Sequence, residues 1–253
     1  MTNKRKAMES VDRTFQILET VREREPVSLT EVSNELGIAK STIHRYLSAL
    51  VSNGYLVREN NEYRMSFEFL SYSNKIHSRE PAYPIIKRKV RDVADRTDEF
   101  VQFTANENDR TVYLFEETGR DGMWVGSYAR TFRPLHSTAG GKSILSTWDR
   151  ENVEKYIERN GLEAVTSHTI TDQEALFTEL EIIRERGYAI NSEETVEGLG
   201  AISVPIKHAN GAVIGSLGIS GPISRIEDPE NTESYADHLV AAQNELELSI
   251  RLL

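Results

Sequence analysis

The sequence predicts an α+β protein: an N-terminal winged helix-turn-helix, a linker helix, and a C-terminal domain built on an antiparallel sheet. Three observations predict it. Three helical patterns and a short hairpin follow one another within residues 1–65. Pro81 and Pro84 then punctuate the chain. Beyond them, helical stretches are mixed with hairpin-linked strand patterns. The expected division is 1–65 for the winged helix, 66–82 for the linker helix and hinge, and 83–253 for the second domain.

In the first helix Val11, Phe15, Leu18 and Val21 form one apolar stripe at helical spacing. The second helix opens on Ser28-Leu29-Thr30-Glu31, a capping box in which Ser28 and Glu31 satisfy each other's backbone amides. Leu29, Val32 and Leu36 are its buried face, and Gly37 supplies the turn out of it. The third helix runs from about Ala39 to Ser52 and buries Ile43, Tyr46, Leu47 and Leu50. Strands Tyr55 to Arg58 and Tyr63 to Met65 follow, and Asn60-Asn61 tolerates the positive φ of a tight hairpin. Residues 66–78 read as a helix with Phe69, Tyr72 and Ile76 on one side.

The second domain opens on a helix from about Ile85 to Arg96. Strands are expected at Phe100 to Ala105, Thr111 to Glu116 and Trp124 to Tyr128. Helices follow at about Ala139 to Thr147, Asp149 to Arg159 and Asp172 to Arg186, the last opened by a Thr171–Glu174 capping box and stopped by Gly187. Strands resume at Tyr188 to Ser192, Ala201 to Lys207 and Ala212 to Ser220. Asp228-Pro229 starts a last helix that carries Tyr235, Leu239, Ala242 and Leu246.

Composition bounds the function. At 38% hydrophobic and 28% charged residues the chain is globular in type, and no apolar run approaches a membrane span. The basic start is followed by acids rather than an apolar stretch, so a cytoplasmic location is expected. The absence of cysteine excludes disulfides, thiolate metal sites and cysteine nucleophiles. Net charge is −10. Residues 1–65 hold ten bases and nine acids, a balance of +1, so the rest of the chain carries −11. The near-neutral N-terminal part can gather its bases on one face. Only nine lysines stand beside 21 arginines, and an acidic, lysine-poor surface suits a salt-rich cytoplasm.

The segment Leu29 to Asn53 points to DNA. Ser41 and Thr42 let a backbone approach phosphates, and Lys40, His44 and Arg45 can reach phosphates or base edges in a major groove. Arg58 and Arg64 on the hairpin and Arg13 on the first helix are further candidate contacts, against simple solvation. The expected partner is double-stranded operator DNA.

Leu135 to Ser143 contains Gly141-Lys142-Ser143 but no phosphate loop, because His136 stands where that loop needs glycine. The better reading is a small-residue turn into a helix whose free amides favour an anion or an oxygen-rich ligand, with a plain packing turn as the alternative. On this reading a large residue at Gly140 blocks the ligand and leaves the fold intact. Gly218-Ile219-Ser220-Gly221 lacks the spacing of a nucleophile elbow. His136, His168 and His208 are scattered, and Glu193 and Glu194 read as solvated or locally bonded. No catalytic residue, metal or cofactor is expected.

These residues together resemble the IclR family of bacterial and archaeal transcription regulators over about residues 8–250. The N-terminal likeness rests on Ser10-Val11-Asp12-Arg13, on Leu29-Thr30-Glu31-Val32 through Leu36-Gly37-Ile38-Ala39-Lys40-Ser41-Thr42, and on Arg45-Tyr46-Leu47 through Gly54-Tyr55-Leu56. The C-terminal likeness rests on Leu135 to Lys142, Arg186-Gly187-Tyr188-Ala189, Glu193-Glu194, Gly198-Leu199, Ile202 to Ile206, and Ser220-Gly221-Pro222 with Arg225. The resemblance implies a GAF-like sensor domain, a small-molecule effector such as a carboxylate or sugar acid, and homodimers that often pair into tetramers. It places Met123, Val125, Ala139, Gly140, Asn191, Ala201 and Ser220 at the effector. Asn191 stands where an acid is frequent and Ala201 where a cysteine is frequent, so the effector's identity does not transfer. The rival reading is an architectural DNA-binding protein whose C-terminal domain only oligomerises.

Overall fold

In the computed structural model the described residues are 8–120, 122 and 132–253. The chain divides into two compact units after Glu80.

The first unit is a winged helix. Helices α1 (Glu9–Arg24), α2 (Leu29–Leu36) and α3 (Lys40–Ser52) enclose a core of Ile17, Val21, Val32, Ile43, Leu47 and Leu50. Each such aliphatic side chain contributes about 1.5–3 kcal/mol on burial. The capping box of α2 is formed: the Glu31 amide donates to Ser28 Oγ at 3.3 Å and the Ser28 amide to Glu31 Oε2 at 2.8 Å. Gly37 ends α2 at φ 63°, a left-handed conformation that glycine adopts without strain. The wing consists of β2 (Leu56–Glu59) and β3 (Glu62–Met65), and Asn60 and Asn61 turn between them at φ 49° and 68°.

Two features of this unit differ from the sequence expectation. The stripe on α1 is only half used: Ile17 and Val21 are buried, whereas Val11 and Phe15 are exposed. Their turns of the helix extend past the core that the later turns cover. A third strand, β1 (Val27–Ser28), pairs with Tyr63 and Glu62 of β3 and widens the wing into a sheet of order β1-β3-β2. Two residues show no periodicity, so the pattern passed over it. Helix α4 (Glu68–His77) lies in this unit, and its Phe69 and Tyr72 rings meet Tyr55 at centroid distances of 5.6 and 6.2 Å. It leaves Phe67, Leu70, Tyr72 and Ile76 exposed.

The second unit is a three-layer α+β domain around an antiparallel sheet. Helix α5 (Tyr83–Thr97) leads into β4 (Phe100–Glu107) and β5 (Arg110–Thr118), with β6 (Arg133–Pro134) at the edge. A single helical turn, Leu135–Ser137, precedes α6 (Ala139–Leu145), α7 (Arg150–Asn160) and α8 (Gln173–Arg186). Strands β7 (Ala189–Ser192), β8 (Leu199–Lys207) and β9 (Val213–Pro222) complete the sheet, and α9 (Ile223–Ile226) and α10 (Pro229–Ile250) close the chain. The order is β6-β5-β4-β9-β8-β7. The strand expected at 124–128 lies outside the described residues.

One sheet face packs on α5 and α10 through Ile86, Val90, Val101, Phe103, Ile202, Leu217, Leu239 and Leu246. The other face carries α6, which meets β4, β7, β8 and β9. Behind α6 a second cluster gathers Leu145, Val153, Tyr156, Leu176, Leu180 and Ile183 from α6, α7 and α8. The cap of α8 corrects the sequence reading. Asp172, not Thr171, accepts the Ala175 amide at 2.9 Å, because the helix begins one residue later than that box requires. Asp228 caps α10 as expected, at 3.1 Å from the Asn231 amide.

Candidate functional site

Helix α3 presents two opposite faces. Ile43, Leu47 and Leu50 point into the core, and Lys40, Ser41, His44, Arg45 and Ser48 are exposed. Thr42 is half-buried. Neither Lys40 nor Arg45 forms an ion pair among the described residues. Other arginines of the same unit do: Arg13 with Glu9, Arg22 with Glu19, Arg24 with Glu35 at 2.8 Å, and Arg64 with Glu59 at 2.7 Å. Arg58 donates to Asn61 Oδ1 at 2.7 Å. Among the described residues Lys40 and Arg45 on α3 and Arg58 on the wing thus lack a carboxylate partner, whereas Arg13 and Arg64 each have one.

The second site is a recess between the sheet and the start of α6. Five of the residues expected at an effector, Ala139, Gly140, Asn191, Ala201 and Ser220, line it together. Met123 and Val125 lie outside the described residues. The structure adds residues that motif reading passed over: Phe100, Gln102 and Thr104 from β4, Thr111 and Tyr113 from β5, Thr195 from the connection between β7 and β8, and Leu199 at the start of β8. Alternation along β4 was the available signal, since residues 100, 102 and 104 share one face. The recess encloses about 520 Å3 of unfilled space with its mouth included, yet a water-sized sphere can enter only about 50 Å3 of it. It is a narrow slot. Its described lining holds no charged side chain.

Hydrogen bonds fix the slot's polar groups. Thr138 caps α6 by accepting the Gly141 amide at 2.9 Å, and its hydroxyl meets that of Thr111 at 3.0 Å. The Ala139 and Gly140 amides, first in the helix, have no intrahelical acceptor. Asn191 Nδ2 donates to the Ser137 carbonyl at 2.6 Å, and the Thr195 hydroxyl donates to that carbonyl too. Gln102 Nε2 donates to Ser220 Oγ at 2.6 Å. Gly140 has a packing reason for its size. A Cβ there would stand 2.4 Å from Thr104 Oγ1 and 2.7 Å from Ser216 Oγ. This corrects the expectation that a bulky residue at Gly140 leaves the fold intact: it would push α6 off the sheet.

Behind the slot the polar groups serve structure. His136 is buried, with Nδ1 2.9 Å from the Tyr156 hydroxyl and Nε2 3.0 Å from the Glu163 carbonyl. Burial pushes its pKa below the usual histidine value. Burial likewise raises the Tyr156 phenol to about 12. Glu194 overturns the solvated reading. It is buried and holds the ammonium of Lys142, itself fully buried on α6, at 2.5 Å. Desolvation raises the Glu194 carboxyl although Lys142 opposes it. Glu193 stays near the surface, where its carboxylate accepts the Gly198 amide at 2.6 Å. Among the described residues no three metal-ligating side chains cluster, and no helix is long and apolar enough to cross a membrane.

A winged helix with a bare basic recognition helix, joined to an α+β domain with a narrow slot beside α6, defines a DNA-binding transcription regulator with its own sensor domain. Comparison with known proteins agrees. Residues 76–247 match the profile of the bacterial transcriptional regulator IclR C-terminal domain, and residues 10–60 that of the IclR helix-turn-helix domain. The regulator KdgR of Dickeya chrysanthemi is 30% identical over 94% of this chain and 79% of its own length. The crystal structure of the Thermotoga maritima IclR superposes with a TM-score of 0.83 at 27% identity, covering 96% of this chain and 98% of that one. An IclR homologue from Microbacterium hydrocarbonoxydans, solved with 4-hydroxybenzoate, shares the fold with a TM-score of 0.78 at 20% identity, covering 96% of this chain and 99% of that one. The chain belongs to the IclR family, and its second unit has the GAF-like sensor fold of that family.

Proposed function

We propose that the chain is a cytoplasmic, non-enzymatic, homodimeric repressor or activator whose operator affinity is set by a small carboxylate or sugar acid held in the slot beside α6. The observation that carries this reading is the slot itself. Hydroxyls of Thr104, Thr111 and Ser220, the amides of Gln102 and Asn191 and the first amides of α6 converge on it, with Phe100 and Tyr113 as apolar walls. Such a lining suits a small oxygenated molecule with one negative charge at the helix end. The 4-hydroxybenzoate found with a protein of the same fold is of that kind.

Lys40, Ser41, Thr42, His44 and Arg45 would read the operator in the major groove. Arg13, Arg58 and Arg64 would reach phosphates only by leaving Glu9, Asn61 and Glu59. Differential affinity of the effector for two arrangements of the assembly would shift operator binding. The test begins by enriching duplexes that the full chain binds from a random pool. Binding to the enriched operator is then titrated against a panel of small carboxylates and sugars. Operator affinity that responds to some member supports the sensor. Affinity indifferent to every member supports the architectural protein instead.

A further inference from the structure

The recess face of the sheet carries a carboxyl group with an unused buried atom. Phe100, Gln102 and Thr104 on β4 and Thr111 and Tyr113 on β5 face the slot, and Val101, Phe103 and Phe115 face the opposite core. The register pairs Phe103 with Phe115 and Gln102 with Glu116. Glu116 therefore stands on the same sheet face, directly beside Gln102 and one strand outside the residues that line the slot there. Its Oε1 is buried and has no hydrogen-bond partner among the described residues. Gln102 turns the other way and spends its amide on Ser220 of β9. Desolvation pushes the Glu116 carboxyl above the usual range.

A carboxyl oxygen withdrawn from water and left unbonded costs stability. The structural carboxylates Glu99 and Glu194 also leave one oxygen, Oε2, buried and without a partner among the described residues, but each spends its other oxygen on a cation. Glu99 Oε1 accepts from Arg225 and from the Tyr235 hydroxyl, both at 2.7 Å, and Glu194 holds Lys142. Among the described residues no cation is paired with Glu116, and its buried Oε1 accepts no hydrogen bond. Its position relative to α6 follows from sheet geometry. Gly140 lies over Thr104. Gln102 is two residues along β4, roughly 7 Å away, and Glu116 is one strand further, roughly 5 Å across. The diagonal is then roughly 8 Å.

We propose that Glu116 is a specificity-determining residue of the slot, taking a hydrogen-bond donor, a hydroxyl or an ammonium, that the effector carries at the end opposite α6. The proposal rests on the reading of the slot as the effector site. An effector that satisfies both ends is a carboxylate with its donor group roughly 6–8 Å away, across a ring or a short chain.

The test is calorimetric titration of the full chain with matched probes: 4-hydroxybenzoate, 4-(aminomethyl)benzoate and benzoate, and gluconate beside hexanoate. The wild type should bind a donor-bearing member about tenfold to a hundredfold more tightly than its donor-free counterpart. Glu116→Leu should abolish that difference. Glu116→Gln, which keeps an acceptor but no charge, should retain a preference for hydroxyl and lose one for ammonium. A preference that survives Glu116→Leu overturns the proposal. Thermal unfolding without ligand gives a second reading: Glu116→Leu should melt at or above the wild-type temperature, and a lower melting point would mark a structural role and sink the idea. Ala201→Leu, which fills the slot from β8, separates the two readings. It should abolish all binding. Binding that persists in it, or a wild type that binds no probe, defeats the effector-site reading and this one with it.

Discussion

At the scale of single residues, charge left unpaired and charge held in burial do different jobs. Arg45 stands exposed on α3 without a carboxylate partner among the described residues, in a unit where Arg22, Arg24 and Arg64 are each paired. Arg45→Ala should weaken operator binding by about 1–3 kcal/mol if the side chain reads a base in bidentate fashion. A mobility-shift titration at fixed salt checks it, and Arg64→Ala, a residue already neutralised by Glu59, should change far less. His136 is the buried counterpart. Its folded pKa is lowered, so it stays neutral where the unfolded chain's histidine, near 6.5, takes up a proton. The unfolded state then binds more protons, and stability rises with pH up to about 6.5 and is lost below it. The melting temperature should fall as pH drops from about 7 towards 5, and His136→Gln should flatten that slope. An unchanged slope in the variant would assign the acid sensitivity to other groups.

At the scale of elements, legibility in the sequence followed the strength of local signals. The Ser28–Glu31 box, the Gly37 stop and the Asn60-Asn61 turn each depend on side chains a few residues apart, and each forms as read. Ser28→Ala should cost about 1 kcal/mol, measurable by denaturant unfolding. What local pattern missed was non-local. Strand β1 exists only because β3 lies beside it. The apolar Val11 and Phe15 were read as core because periodicity cannot tell which turns of a helix another element covers. Glu194 read as solvated because its partner Lys142 is 52 residues away in sequence. Five slot residues follow from family likeness, whereas alternation puts Gln102 and Thr104 on one face of β4 without saying that this face, with Tyr113 of β5, meets α6. Helix α4 poses the same question of cover. Ten residues make a marginal helix in isolation, and its Leu70 and Ile76 are exposed. Exposed apolar surface on a short helix suits a second copy of the chain. Leu70→Asp with Ile76→Asp should convert a dimer into a monomer in light scattering at micromolar concentration. A wild type that is itself monomeric there would remove the dimer from the proposed function.

At the scale of the whole molecule, charge is divided between the two tasks. Residues 1–65 are nearly balanced, and the rest of the chain carries −11. Acidic self-repulsion in the sensor half works against its compact state. Many of its ion pairs are exposed, such as Arg150–Glu154 and Lys155–Glu151, and exposed pairs contribute little. Salt shortens the screening length from about 10 Å at 0.1 M to about 3 Å at 1 M, so it relieves the net repulsion while giving up little in paired contacts. The melting temperature should therefore rise between about 0.1 and 1 M potassium chloride. Operator binding should move the opposite way, because each phosphate neutralised by Lys40, Arg45 and their neighbours releases counterions and loses affinity as salt rises. Opposite signs in one buffer series, by thermal unfolding and by mobility shift, are the expected outcome. A melting temperature that falls with salt would show that paired contacts outweigh the net repulsion.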